Sequence, residues 1–305
     1  MCYNNQVMVI VKVLLIILIV AVLLYLFLIL PRIIGRPARA PHTGVLYAHR
    51  GLFDNAAGIP ENSMTAFRRA VEAGYGIELD VQTTKDGVPV VFHDFTLARM
   101  ARYAEGQIPE GAERDEEGIA RIPGRICDYT LEELSRFRLL DTEEQIPRFD
   151  EFLRMVDGRV PLVVELKIEW KDLTVCPAAA GLLAGYNGVY CIESFNPLGL
   201  LWYRRNHPEV MRGQLSDSFR KSEGWTGPLY LALEFMLMNV LARPDFIAYN
   251  HKYRDNLSRV LCTKLFGAVS AAWTIRSEEE LQGARRDFEI LIFDSFVPAG
   301  GPQNI

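Results

Sequence analysis

Short apolar runs alternate with amphipathic helical stretches between residues 44 and 298, and one much longer apolar run precedes them. Buried strands interleaved with helices indicate parallel βαβ units. About eight units over about 255 residues match a (β/α)8 TIM barrel, whose usual size is ~250 residues. The sequence therefore predicts an α/β protein, a TIM barrel behind a single N-terminal transmembrane helix.

The long run comes first in the chain. From Val13 to Leu30 no residue is charged or strongly polar, and only Lys12 interrupts the apolar stretch back to Val7. At 1.5 Å per residue this length crosses a ~30 Å hydrocarbon core. Ala38-Arg39-Ala40 has the small-x-small form of a signal-peptide cleavage site. The apolar run is longer than a secretory h-region, however, and Pro41 follows the cut, so residues 1–30 are expected to stay as an uncleaved anchor. Arg32, Arg36 and Arg39 follow the span and favour a cytoplasmic catalytic domain in a single-pass membrane protein.

Residues 31–43, rich in Pro, Arg, Gly and Ala, form the expected linker to a 44–298 domain. Strands are expected at 44–48, 77–82, 88–92, 160–166, 189–193, 211–215, 245–249, 268–273 and 289–293. Helices are expected at 63–73, 131–136, 148–157, 172–185, 197–206, 254–266 and 277–286. Residues 95–128, charged and glycine-containing, break the alternation as a loop insertion. Residues 216–243, with Trp225, Phe235, Met236, Leu237 and Met238, break it as a helical excursion. Loops at the C-terminal face of a barrel carry its variable, substrate-facing elements.

Composition narrows the class. Five cysteines without paired spacing fit a reducing compartment rather than a disulfide framework. A formal charge of −5 gives no sign of a nucleic-acid partner.

The chemistry concentrates around Glu78 and Asp80. Alternate strand residues share a face, so these carboxylates converge in apolar surroundings, where unanswered charge is very costly. A divalent metal is an economical answer. His49 closes the first expected strand, and His93 follows the third. Glu165 and Lys167, again spaced i, i+2, end the fourth. Strand ends of this kind are where barrel enzymes work.

The residues at these positions resemble the glycerophosphodiester phosphodiesterases. The resemblance spans nearly all of 44–298. It rests on Ala48-His49-Arg50-Gly51, Pro60-Glu61-Asn62-Ser63, Ala66-Phe67, Glu78-Leu79-Asp80-Val81, Thr84-Lys85-Asp86-Gly87 and His93-Asp94. It continues through Glu165-Leu166-Lys167, Ser194-Phe195-Asn196-Pro197 and Trp273-Thr274. The resemblance implies a barrel, one divalent cation, and hydrolysis of a phosphodiester to sn-glycerol 3-phosphate and an alcohol.

By that resemblance Glu78, Asp80 and Glu165 are the metal ligands, and three carboxylates suit Mg²⁺ or Ca²⁺ better than zinc. The competing role is salt bridging to Arg50 and Lys167. His49 and His93 match the general acid/base pair, for which an imidazole near pKa 6.5 is suited. Arg50 and Lys167 match a phosphate clamp, or else only neutralise neighbouring acids. Glu61 serves either the cation, the glycerol hydroxyls or the turn. Asn62 and Ser63 have an alternative as a helix N-cap. Trp273 walls the glycerol subsite or fills the core. Phe293-Asp294 replaces the family's more usual Thr-Asp.

Two other functions remain open from the sequence. One is a phospholipase-D-like attack on lysophospholipids, with membrane lipid brought close by the anchor. The other is a catalytically inactive, membrane-anchored binding module.

Overall fold

The computed structural model describes residues 2–302, with side chains from Gln6 onward. Eleven strands form among the described residues. They are β1 (Leu46–His49), β2 (Gly76–Thr83), β3 (Pro89–Val91), β4 (Ala101–Tyr103), β5 (Phe137–Leu139), β6 (Leu162–Leu166), β7 (Tyr190–Ser194), β8 (Arg212–Ser216), β9 (Phe246–Asn250), β10 (Val269–Ile275) and β11 (Ile290–Phe293). Eight are parallel neighbours in the order β1-β11-β10-β9-β8-β7-β6-β2, and pairing of β1 with β2 closes the barrel. Every residue of β6 and β8 is buried, as expected of strands covered on both faces.

The expected strand at 88–92 is present but is not a barrel stave. β3 runs antiparallel to β2, with Val81 opposite Val91 and Thr83 opposite Pro89. It descends from the barrel's C-terminal rim to the level of Asp80, where the Phe92 amide donates to the Asp80 carbonyl. His93 therefore reaches the site from the end of a hairpin, not from the end of a parallel strand as the alternation implied. An apolar run specifies burial but not direction.

The insertion is built on its own small core. Leu97, Met100, Ile122, Ile126, Phe137 and Leu139 cluster there beneath the antiparallel pair β4–β5. The excursion after β8 holds three short helices, Phe219–Ser222, Pro228–Glu234 and Asn239–Ala242.

The helices around the barrel follow from local signals. Ser63 caps helix Met64–Glu72 by accepting from the Ala66 amide, and Ala66, Phe67, Ala70 and Val71 face inward. Helix Phe149–Val156 meets it through an edge-on Phe67–Phe152 pair with centroids 4.6 Å apart. Asn196 caps helix Pro197–Asn206, with proline at its first turn. Fully burying such apolar side chains contributes ~1.5–3 kcal/mol each.

The first helix, Cys2–Ile29, is exposed from Val7 to Leu24 and apolar there except at Lys12, while Ile29 is buried against Met236, Ile247, Tyr249 and Cys262. By length and composition it can cross a membrane. The 31–43 segment is bound to the barrel. Arg32 pairs with Asp245 at 3.6 Å, Arg39 pairs with Glu289 at 3.7 Å, and Arg36 donates to the Phe266 and Gly267 carbonyls. The arginines that suggested an orientation are thus engaged with protein.

Candidate active site

The backbone at the mouth of β1 sets the geometry. Arg50 and Asn62 both occupy the left-handed region, at φ 56° each, and the Asn62 amide donates to the Arg50 carbonyl at 3.0 Å. Such backbone costs ~1–3 kcal/mol per residue and is held by its surroundings. Gly51 is required between them, since a Cβ there would lie 2.8 Å from the Ala66 backbone. Ser63, not Asn62, caps the helix. The Asn62 side chain instead donates to Asp80 Oδ2 at 2.9 Å.

Register aligns the acids. His49 lies beside Glu78, Asp80 beside Glu165, and Glu165 beside Glu193. Oxygens of Glu78, Asp80 and Glu165 all come within 4.8 Å of one another, and all three residues are buried. Lys167 Nζ is 2.9 Å from Glu165 and 3.4 Å from Asp80, and Arg50 Nε is 3.4 Å from Asp80. The salt-bridge role therefore exists, but it leaves charge uncompensated. Among the described residues, Glu78 meets the His49 ring at 3.8 Å and the Arg50 amide at 3.3 Å, with no cation in salt-bridge range other than His49.

Protonation follows that imbalance. Burial, then Asp80, Glu165 and Glu193, push the Glu78 carboxyl well above the usual carboxylate range. Burial also raises Glu165, with Lys167 opposing. For Asp80, burial is outweighed by His93, Lys167, Arg50 and the Asn62 amide, which hold it well below its ordinary value. The donor set fits a hard divalent cation: three buried carboxylates with more negative charge than their neighbours answer. Glu78, Asp80 and Glu165 are the residues that could hold it.

Both histidines are backed by carboxylates. His49 Nδ1–H donates to Asp294 Oδ2 at 2.8 Å, turning Nε2 toward Glu78. Burial and the nearby Arg50 lower the His49 pKa despite Asp294, whereas Asp294 itself is held at about 2, its burial outweighed by the His49 bond. His93 Nδ1–H donates to Asp94 Oδ1 at 2.6 Å. Arg99 then bridges Asp94, at 2.6 Å, to Glu61, at 2.6 and 2.9 Å. Glu61 also accepts from Arg50 at 2.7 Å, so two guanidiniums engage it and it stands apart from the three-acid cluster.

A cavity of about 140 Å³ opens over this group, lined by His49, Arg50, Glu78, His93, Glu165 and Trp273 among others. Trp273 packs edge-on against Phe195 with centroids 5.5 Å apart, and its indole Nε1 has no hydrogen-bond partner. It forms a wall with an unused donor.

Four residues of the site escaped the sequence reading. Asp94 lies within a matched fragment and Asp294 within the pair Phe293-Asp294 that departs from the family's usual form, and both gain roles only from spatial partners. Arg99 sits in the insertion, where no fragment anchors it. Glu193 is a buried acid at the end of β7 whose Oε2 has no partner; burial, Glu165 and Asp80 push its pKa well up. An acid inside an apolar strand was its one legible signal.

A closed parallel barrel with clustered acids, two cations and carboxylate-backed histidines at its C-terminal rim is the framework of a hydrolase for anionic substrates. The chain belongs to the glycerophosphoryl diester phosphodiesterase family, a family of enzymes, which matches residues 49–294. A glycerophosphodiester phosphodiesterase of Caldanaerobacter subterraneus subsp. tengcongensis is 35% identical over 253 residues, covering 78% of this chain and 88% of the relative. One from Bacillus altitudinis is 34% identical over 131 residues, but the match covers 41% of this chain and 44% of that protein. Among solved structures, an Oleispira antarctica phosphodiesterase in complex with the product sn-glycerol-3-phosphate has a TM-score of 0.61 at 21% identity, covering 82% of this chain and 93% of that one. A Thermotoga maritima glycerophosphodiester phosphodiesterase has a TM-score of 0.58 at 22% identity, covering 83% and 96%. These structures establish the likeness of fold.

Proposed function

We propose that the chain hydrolyses glycerophosphodiesters to sn-glycerol 3-phosphate and an alcohol. The observation that carries this is the pair of histidines, His49 and His93, each tied through Nδ1 to a carboxylate beside a buried three-acid cluster. Glu78, Asp80 and Glu165 would hold one Mg²⁺ or Ca²⁺, which when bound supplies charge neutralisation at the phosphoryl oxygens. Arg50 and Lys167, the cations on that cluster, are the groups placed to meet the phosphodiester. One histidine removes the proton of the nucleophile, water or the glycerol 2-hydroxyl, and the other protonates the leaving alcohol. Trp273 walls the glycerol subsite.

The domain division follows: residues 1–30 anchor a 44–298 barrel through the 31–43 segment. The described cysteines Cys127, Cys176, Cys191 and Cys262 are free thiols, which supports a reducing, cytoplasmic setting for the barrel. Replacing either histidine by alanine is expected to lower turnover ~10²–10⁴-fold with the thermal transition preserved. Full activity in both variants contradicts the assignment.

One observation favours a second reading, lysophospholipids as substrates. Aromatic rings run outward from the cavity wall, Phe195 to Phe219 at 6.2 Å and Phe219 to Trp225 at 6.1 Å. Such a track suits an acyl chain.

A further inference from the structure

The contacts of the N-terminal helix fix which way it leaves the barrel. Tyr25 Oη meets Ser258 Oγ at 2.7 Å, and the Ile29 carbonyl accepts from Asn239 Nδ2 at 3.0 Å and Cys262 Sγ at 3.2 Å. Arg32 donates to the Pro208 carbonyl at 2.8 Å, and Arg36 donates to Phe266 and Gly267 at 2.6 Å each. Ser258 lies near the start of the connection that leaves the C-terminal end of β9, and Gly267 lies at its foot just before β10. Pro208 and Asp245 precede β8 and β9. Residues 25 to 36 therefore descend from the C-terminal rim to the N-terminal rim. The exposed stretch Gln6–Leu24, about 28 Å long at 1.5 Å per residue, continues past the C-terminal rim, on the side of the active site.

That same rim carries exposed apolar residues on several separate loops. Trp170, after β6, is 82% exposed; Leu257, after β9, is 59% exposed; Val297, after β11, is 65% exposed. Trp225 and Leu229, in the excursion after β8, are 47% and 55% exposed. Tryptophan with one apolar body and one polar edge is enriched at membrane interfaces.

We propose that the C-terminal face of the barrel rests on the bilayer that the N-terminal helix spans, with Trp170, Trp225, Leu229, Leu257 and Val297 in contact with lipid. This rests on the proposed role of that helix as the anchor. Its occupant is the lipid surface of that same membrane, because the span emerges on this face and holds it there. The catalytic mouth then opens onto lipid, and the aromatic track from Phe195 to Trp225 connects the two.

The test uses the full-length chain in phosphatidylcholine vesicles, with and without bromination of the acyl chains. Trp170 is largely exposed and phenylalanine at 225 keeps an aromatic ring against Phe219, so W170F and W225F preserve packing, which circular dichroism checks. Brominated lipid is expected to quench the wild-type emission, and the double variant is expected to lose that quenching although Trp202 and Trp273 remain. Equal quenching in the double variant overturns the proposal. So does an unquenched wild-type chain that stays with the vesicles through an alkaline carbonate wash, a result that leaves the anchor standing. Release of the chain by the wash overturns the anchor and the docking together.

Discussion

Asp294→Asn isolates the carboxylate behind His49 with almost no change in shape. In the wild type, a 2.8 Å bond joins His49 Nδ1–H to a carboxylate held at about 2, so the bond is charge-assisted near neutrality. Such bonds contribute ~1.5–3 kcal/mol, against ~0.5–1.5 kcal/mol for a neutral pair. The carboxylate also supports the positive charge on the imidazole when Nε2 takes a proton, and a carboxamide does not. Losing the ~1–1.5 kcal/mol that separates the two corresponds to a turnover about 5- to 13-fold lower, at 1.36 kcal/mol per decade. Asp294 raises the His49 pKa, so its removal moves the His49 limb of the activity profile to lower pH. The assay is choline release from glycerophosphocholine across the neutral range, with thermal unfolding measured alongside. A variant with wild-type turnover and an unmoved pH limb refutes the claim that Asp294 works through His49.

Other outcomes follow from the same structure. Lys167→Met leaves Asp80 and Glu165 short of a buried cation, and denaturant unfolding is expected to show a loss of ~3–5 kcal/mol that Mg²⁺ or Ca²⁺ partly restores. His42 is buried and lowered to about 4 by desolvation, from an unfolded value near 6.5. As pH falls below 6.5 the unfolded chain takes up that proton first. Stability should therefore decline by about 3 kcal/mol between pH 6.5 and 4, a slope that His42→Gln removes from the unfolding curves. Gly213→Ala places a Cβ 2.1 Å from the Phe246 ring across β8 and β9, and its unfolding free energy from denaturant titration should drop by the ~1–3 kcal/mol of an overpacked core.

Periodicity alone was enough to locate the barrel staves, because fully buried parallel strands read as continuous apolar runs bounded by turns. It failed at β3, where the same signature belongs to an antiparallel return, and at β4 and β5, three-residue strands too short to stand out in the charged insertion and just beyond it. The expected helix at 254–266 is divided into Leu257–Val260 and a π-helical turn, Leu261–Leu265. The site shows the same division. Glu78, Asp80, Glu165 and Lys167 were legible because i, i+2 spacing on a strand fixes a shared face. Asp294 was not, because its partner His49 lies far along the chain; Arg99 sits in an insertion without a motif, and Glu193 is a single acid in its strand with no second acid at i, i+2. His93 was placed beside the acids from its position after an expected strand, yet its route there, by a hairpin, required the register of β3 against β2.

Product analysis with and without a divalent cation decides whether this site is a metal-assisted phosphodiesterase. The full-length chain is given glycerophosphocholine and the products are followed by phosphorus NMR, first as purified, then with chelator, then with Mg²⁺ or Ca²⁺ restored. Formation of sn-glycerol 3-phosphate is expected, with its loss under chelation and its return with the added ion in wild type but not in Glu78→Gln or Asp80→Asn. Hydrolysis that proceeds unchanged under chelation, or in those variants, contradicts it.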